Sequence, residues 1–424
     1  MEAAEKLRLT SIIVLLGFIL AFFYYGFIEF FYGGLFKNFL GSPLYDRFMD
    51  FYNLYDLAIG LNPYFSLKGE LGNYLPFAYL LMWPFTWMSR DAAFIVFIFT
   101  FIYSVCWTFN YFLSKVASTF HRLEYLQIIL ILVFLSWPVL FALGRGNLDC
   151  LIFALTSLFL ICFINKKFLL AAIFLSVVIA LKAYPAIFIL LYFKEKKFYT
   201  GMLCILLSCL LTVIALFSFR AGFTHSLHRY LQIAAIYQSK QALYTSLMTF
   251  SASLFQFIKM IYAYIDRLHD FSLSAYLATL KKILLIYEVF TVVSAIFIAW
   301  FFLRCPLVRW KQVMLLTLMM ILFPPISGDY KLLFLFLPFL LFVIAEVKDP
   351  RDYLYTILFS LLFIPKNYYF FPKTISYSST DAINICIMLF FGGQIIASGL
   401  RNAREKNLRT DSSISGIKVT AAYE

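Results

Sequence analysis

Apolar residues come in long runs from one end of the chain to the other, broken by short polar pieces. The runs lie at residues 11–32, 75–89, 91–113, 125–143, 147–165, 168–181, 184–193, 198–219, 245–265, 281–303, 312–326, 331–346, 353–365 and 382–400. Several reach the ~20 residues that a helix needs to cross a hydrocarbon core, and others are too short to span alone. No short segments of strictly alternating polarity stand out, as a membrane β-barrel would require. The pattern predicts an all-α polytopic membrane protein with about 12 membrane segments, several of them short or re-entrant.

Two details sharpen that prediction. Residues 168–193 sit between basic clusters and are interrupted at Lys182-Ala183-Tyr184-Pro185. This reads as a hairpin of two short helices with Lys182 at its tip. Broken helices at membrane depth are tolerated only where they are buried or line a polar cavity. Charge placement is best satisfied if the 75–89 and 245–265 runs do not fully cross, which puts both ends of the chain in the cytoplasm. One outer face then receives residues 45–74, 144–147, 182, 220–244 and 328–331.

Composition agrees. The chain has 424 residues, 63% hydrophobic and only 13% charged, with a mean hydropathy of +0.87. The net charge of +13 does not point to nucleic acid, because Lys and Arg cluster in the short breaks, as at 166–167, 194–197, 304–311 and 401–409. That is the positive-inside pattern. The seven cysteines are scattered and form no CxxC, so neither a zinc site nor a disulfide framework is indicated. The first apolar run has no convincing cleavage site after it and reads as an uncleaved helix. Residues 1–400 read as one transmembrane domain, with 31–75 as its first outer loop. Residues 401–424 read as a basic, disordered cytoplasmic tail.

The candidate chemistry starts in that first loop. Asp46, Asp50 and Asp56 lie in YDRFMDFYNLYDLAIGLNPY. Asp46 and Asp50 are spaced i, i+4 and would share a face of a short helix lying in the interface among aromatic anchors. Either could be a general base, its pKa raised near an apolar surface. The plainer alternative is a solvated interfacial helix with its acids paired to Arg47 and other cations. Arg145, between Gly144 and Gly146, is a guanidinium between two apolar runs, a placement that is functional by default. Lys182 is the second such cation, unless it snorkels to the interface. Together they suit an anionic ligand such as a phosphate. Weaker candidates for substrate contact are His228, Arg229 and Gln238 in the 220–244 stretch, and Asp329, Tyr330 and Lys331 in a polar turn after Pro324-Pro325. No P-loop, dinucleotide fingerprint, HExxH or GxSxG is present.

These residues, taken in order, resemble the GT-C membrane glycosyltransferases, and most closely glycosyltransferase family 87. The likeness rests on Asp50-Phe51 followed by Tyr52, Tyr55, Gly60, Asn62-Pro63-Tyr64 and Tyr74-Leu75-Pro76. It continues in Gly144-Arg145-Gly146-Asn147, where the family's usual Gln is replaced by Arg145, and in Lys182-Ala183-Tyr184-Pro185. The resemblance implies a GT-C-like fold and a hexosyl- or pentosyltransferase that uses a polyprenyl-phosphate sugar as donor. It further implies a glycan or glycolipid acceptor and action at the outer face of a bacterial cytoplasmic membrane. Asp50 would be the catalytic base, with Asp46 as the alternative. Arg145, Lys182 and Asn147 would bind the donor phosphate, and Tyr64 and Tyr74 would line the substrate site. No cofactor and no metal are called for, and no nucleic-acid partner. A transporter or flippase of an anionic lipid, or an O-antigen-type polymerase, remains the competing reading.

Overall fold

The computed structural model of the chain describes all residues except 33–46, 66–71, 244–250, 268–272, 367–378 and 415–424. Among the described residues there are helices and no strands. The first half carries α1 (Ala3–Tyr32), α2 (Met49–Ala58), α3 (Pro76–Met82), α4 (Arg90–Leu113), α5 (Arg122–Phe134), α6 (Trp137–Arg145), α7 (Asp149–Ile164) and α8 (Phe168–Leu181). The second half carries α9 (Ile189–Lys194), α10 (Phe198–Ser218), α11 (Phe223–Leu243), α12 (Leu254–Arg267), α13 (Leu273–Arg304), α14 (Arg309–Leu322), α15 (Phe336–Val343), α16 (Asp352–Phe363) and α17 (Ser379–Ile414).

Among the described residues, five helices are long and apolar enough to cross a membrane: Ala3–Phe27 of α1, α4, α10, Ser274–Arg304 of α13 and Ala382–Glu405 of α17. A sixth forms if α5 and α6, bent by 50° to each other, count as one span. The bend falls at Leu135-Ser136, just before Pro138, which has no N–H to continue the helical ladder. The full set of twelve segments is not met by spanning helices alone. Shorter apolar helices such as α7, α8 and α16 lie between them along the chain; α7 is largely buried, while α8 and α16 bury one face.

The chain breaks where its residues dictate. Helix α8 stops at Leu181, and Lys182 is extended (φ −150°, ψ 135°). Pro185 then opens a short 3₁₀ turn, Tyr184–Phe188, that leads into α9. The expected hairpin with Lys182 at its tip is therefore present. Helix α6 ends at Gly146, whose φ of 60° lets its N–H reach back to the carbonyls of Ala142 and Leu143.

Two stretches differ from expectation. Residues 220–244, read as an outer polar stretch, contain the 21-residue helix α11. Phe223, Leu227, Tyr230 and Ile233 recur at helical spacing and pack on the core, so the amphipathic period outweighs the polar composition. The helix of the C-terminal region also does not stop at Arg401. It continues to Ile414, through residues rich in the helix formers Ala, Arg, Glu, Lys and Leu.

The expected convergence is visible in the contacts. The Phe48 N–H donates to Gly144 O at 2.9 Å and the Arg220 N–H to Leu61 O at 3.1 Å. Lys182 Nζ lies 5.2 Å from the centre of the Tyr74 ring and 5.1 Å from that of Tyr330. The first loop, the end of α6, the hairpin tip, the start of α11 and the turn before α15 thus meet at one end of the bundle.

Candidate active site

Asp50 stands in the first turn of α2, a helix entered through Phe48 in the left-handed region (φ 60°). The buried face of α2 carries Phe51, Leu54, Tyr55 and Ala58. Phe51 packs on Phe94 and Phe97 of α4, with centroids 5.3 and 5.0 Å away. This packing turns Asp50 toward the end of α6. There Gly146 is needed twice over. Its φ is positive, and a Cβ at that position would lie 3.1 Å from Phe51 Cβ. Asp46 precedes the helix and lies outside the described residues, as does the side chain of Gln238. Asp56 is turned away and pairs with Arg90 at 3.3 Å.

Asp50 is held by two groups from the α6–α7 corner. Arg145 binds it through both carboxylate oxygens, Nη2 to Oδ1 at 2.5 Å and Nε to Oδ2 at 3.3 Å. Asn147 Nδ2 donates to Oδ2 at 2.5 Å. The other end of that amide, Oδ1, accepts from Lys182 Nζ at 3.0 Å and from the Asp149 N–H at 3.0 Å. Lys182 in turn makes an ion pair with Asp149 Oδ1 at 3.1 Å, and the Tyr184 hydroxyl donates to the same oxygen. Two acids and two bases are therefore joined into one line: Arg145, Asp50, Asn147, Lys182, Asp149, Tyr184. The line is graded in exposure. The Arg145 and Asp50 side chains are 21% and 16% exposed, Lys182 14% and Asp149 0%.

Aromatic rings wall the line. Tyr74, Tyr184 and Tyr330 all lie within 6.0 Å of Lys182 Nζ, close enough for attraction between the ammonium and the ring faces. Burial, and after it the negative charge of Asp50, push the Tyr74 hydroxyl well above its ordinary range, so it stays a neutral donor. Lys331 is buried, with Nζ 4.3 Å from the centre of the Tyr184 ring. Asp329 is fully buried and accepts from Trp137 Nε1 at 3.1 Å.

Other predicted residues lie further off. Tyr64 is buried, enclosed by Tyr79, Phe219 and Tyr230, and its hydroxyl donates to Tyr74 O at 3.0 Å. Arg229 reaches Tyr64 O at 3.4 Å, and His228 is exposed on α11. Tyr64 and Arg229 belong to the packing of α11 on the first loop. The residue that sequence reasoning passed over is Asp149. The available signal was a carboxylate inside an apolar run, two residues after Asn147.

Beside this line runs a groove that is almost wholly apolar. Ala78, Met82, Phe97, Phe101, Leu148 and Leu151 are among its walls. The first turn of α7 thus contributes to both, Leu148 and Leu151 to the groove and Asn147 and Asp149 to the charged line.

The fold and this end of the bundle define a polytopic helical membrane protein with a charged, aromatic-walled site next to an apolar groove. The chain belongs to glycosyltransferase family 87, whose family model matches residues 73–325. That match includes Arg145, Asn147, Asp149 and Lys182, and begins after Asp50. Comparison with curated proteins and with solved structures finds no match.

Proposed function

We propose that the chain moves a sugar from a polyprenyl-phosphate-linked donor to a hydroxyl of a lipid-linked or cell-surface glycan. The reaction takes place with inversion, at the outer face of a bacterial cytoplasmic membrane that the chain threads about twelve times. One observation carries this reading: a carboxylate and two cations share a hydrogen-bonded line, and the turn of α7 that holds Asp149 also lines an apolar groove. A polyprenyl phosphate has the matching polarity, an anionic head for the line and an isoprenoid tail for the groove.

The chemistry follows from the residues. The acceptor hydroxyl oxygen attacks the anomeric carbon, and its proton passes to Asp50. The bond from that carbon to the phosphate oxygen breaks, and its electron pair stays on the departing polyprenyl phosphate. Arg145 and Lys182 stabilise that charge as it develops. Arg145 spans both oxygens of Asp50, so a donor phosphate would compete with that carboxylate for the guanidinium.

The test is transfer by purified protein from a panel of polyprenyl-phosphate sugars to extracted envelope glycolipids. The wild type is expected to use at least one donor, and Asp50→Asn to lose ~10³-fold in kcat. Near-wild-type turnover by Asp50→Asn would overturn the assignment of the base.

A further inference from the structure

The two ends of an Asn amide have nearly the same shape, and hydrogen-bond partners decide which end points where. At Asn147 this choice has consequences. With Nδ2 toward Asp50 the carboxylate gains a donor, and with Oδ1 there it would face a lone pair. Two donors settle the matter by claiming Oδ1, namely Lys182 Nζ and the Asp149 N–H, each at 3.0 Å. The ammonium is itself held in place by Asp149 Oδ1 at 3.1 Å. Without that counter-charge, Lys182 would be drawn toward the remaining anion, Asp50, and away from Asn147.

Asp149 is placed for this task. It lies in the first turn of α7, where the helix dipole favours a carboxylate. Its side chain is fully buried, and Tyr184 donates to the oxygen that binds Lys182. Packing alone would not favour an aspartate here, because a buried charge is costly unless it is paired. Its second oxygen, Oδ2, is buried without a hydrogen-bond partner among the described residues, so the desolvation of this group is not fully offset.

From this geometry we infer that Asp149 is a positioning residue of the transfer reaction. It holds Lys182 on Asn147 Oδ1, and so keeps the Asn147 amide turned to donate to Asp50. The inference rests on the transferase reading above and assigns a role to a residue that touches neither Asp50 nor the reacting atoms.

A double-mutant cycle on kcat tests it. Asp149→Asn keeps the shape and removes the charge, and is expected to lower kcat ~30-fold in the wild-type background. In an Asn147→Ala background the same change is expected to cost under ~3-fold, because the amide through which Asp149 acts is already gone. Tyr184→Phe removes only the hydroxyl and should show the same dependence on Asn147 with a smaller loss. It carries the test if Asp149→Asn fails to fold. Equal losses in both backgrounds, with wild-type transfer intact, would overturn the positioning role and leave the transferase reading standing. Absence of transfer by the wild type from every donor would overturn the transferase reading, and this inference with it.

Discussion

The molecule buries charge at both ends of its bundle, and the two clusters are built differently. Helix α14 and the return through Asp329–Leu335 and α15 run between them, with Lys311 at one end and Asp329 at the other. At the Lys311 end, Lys6 pairs with Asp352 at 3.1 Å, and the two side chains are 1% and 3% exposed. Lys6 also donates to Phe342 O at 3.3 Å and lies over the Phe342 ring. Lys311 reaches Asp349 at 2.7 Å and Ser398 Oγ at 2.9 Å, and Arg351 binds Gln394. These contacts tie α1, α14, α16 and α17 together, with Lys6 and Asp352 closed off and Asp349 25% exposed. At the other end Asp50 and Arg145 are partly open, Phe48 and Gly146 are left-handed, and Asp149 Oδ2 and Asp329 Oδ1 lack hydrogen-bond partners among the described residues. A groove adjoins the cluster there. Buried ion pairs alone therefore do not mark a site. What sets the Asp50 end apart is the continuous line from Arg145 to Tyr184 and the apolar groove that shares its α7 turn.

This contrast can be broken by experiment. The largest effects separate activity from stability. Asp50→Asn should remove ~10³-fold of turnover and leave the unfolding midpoint of the purified protein nearly unchanged. Asp352→Ala should do the reverse, because stranding Lys6 in the interior costs about 3–5 kcal/mol. It should lower yield and thermal stability while the surviving folded protein keeps its turnover per molecule. If Asp352→Ala instead abolished turnover in folded protein, the closed cluster would not be merely structural.

Next in size is donor binding. Asp50→Asn removes the carboxylate that competes with phosphate for Arg145, so it should bind a polyprenyl phosphate ~5–10-fold more tightly than the wild type. That gain should vanish in the Asp50→Asn, Arg145→Gln double variant. Unchanged affinity in Asp50→Asn would show that the guanidinium does not exchange partners. Gly146→Ala should cost about 1–2 kcal/mol from its left-handed backbone alone, with a further loss from the approach to Phe51. Turnover should fall with it, since Gly146 sets how closely α2 meets α6. The smallest effect is expected at the exposed pair of Arg8 and Glu124. Arg8→Ala should leave both stability and turnover unmoved.

Much of the fold was legible in the chain. The apolar runs became helices, Pro185 broke the α8–α9 hairpin where its ring and missing N–H require it, and Gly146 ended α6. The meeting of the first loop with residues 144–147 and Lys182 followed from the spacing of the basic breaks. What was not legible was the choice of partners. Arg145 and Lys182 both read as free cations for an anionic ligand, yet each holds a carboxylate, Asp50 and Asp149 respectively. Helix α11 was obscured by its polar composition, because its narrow apolar stripe has meaning only against the surface that covers it.

Local patterns determined the helices, their breaks and the end of the bundle where polar residues gather, because hydrophobic period and backbone propensity act over a few residues. Only the tertiary structure decided that Asp50 would meet an arginine 95 residues away and an asparagine 97 residues away. It alone drew Asp149 into the line. Ion pairs and amide orientation depend on distances of a few ångströms between separate helices, and those distances are set by packing of the whole bundle.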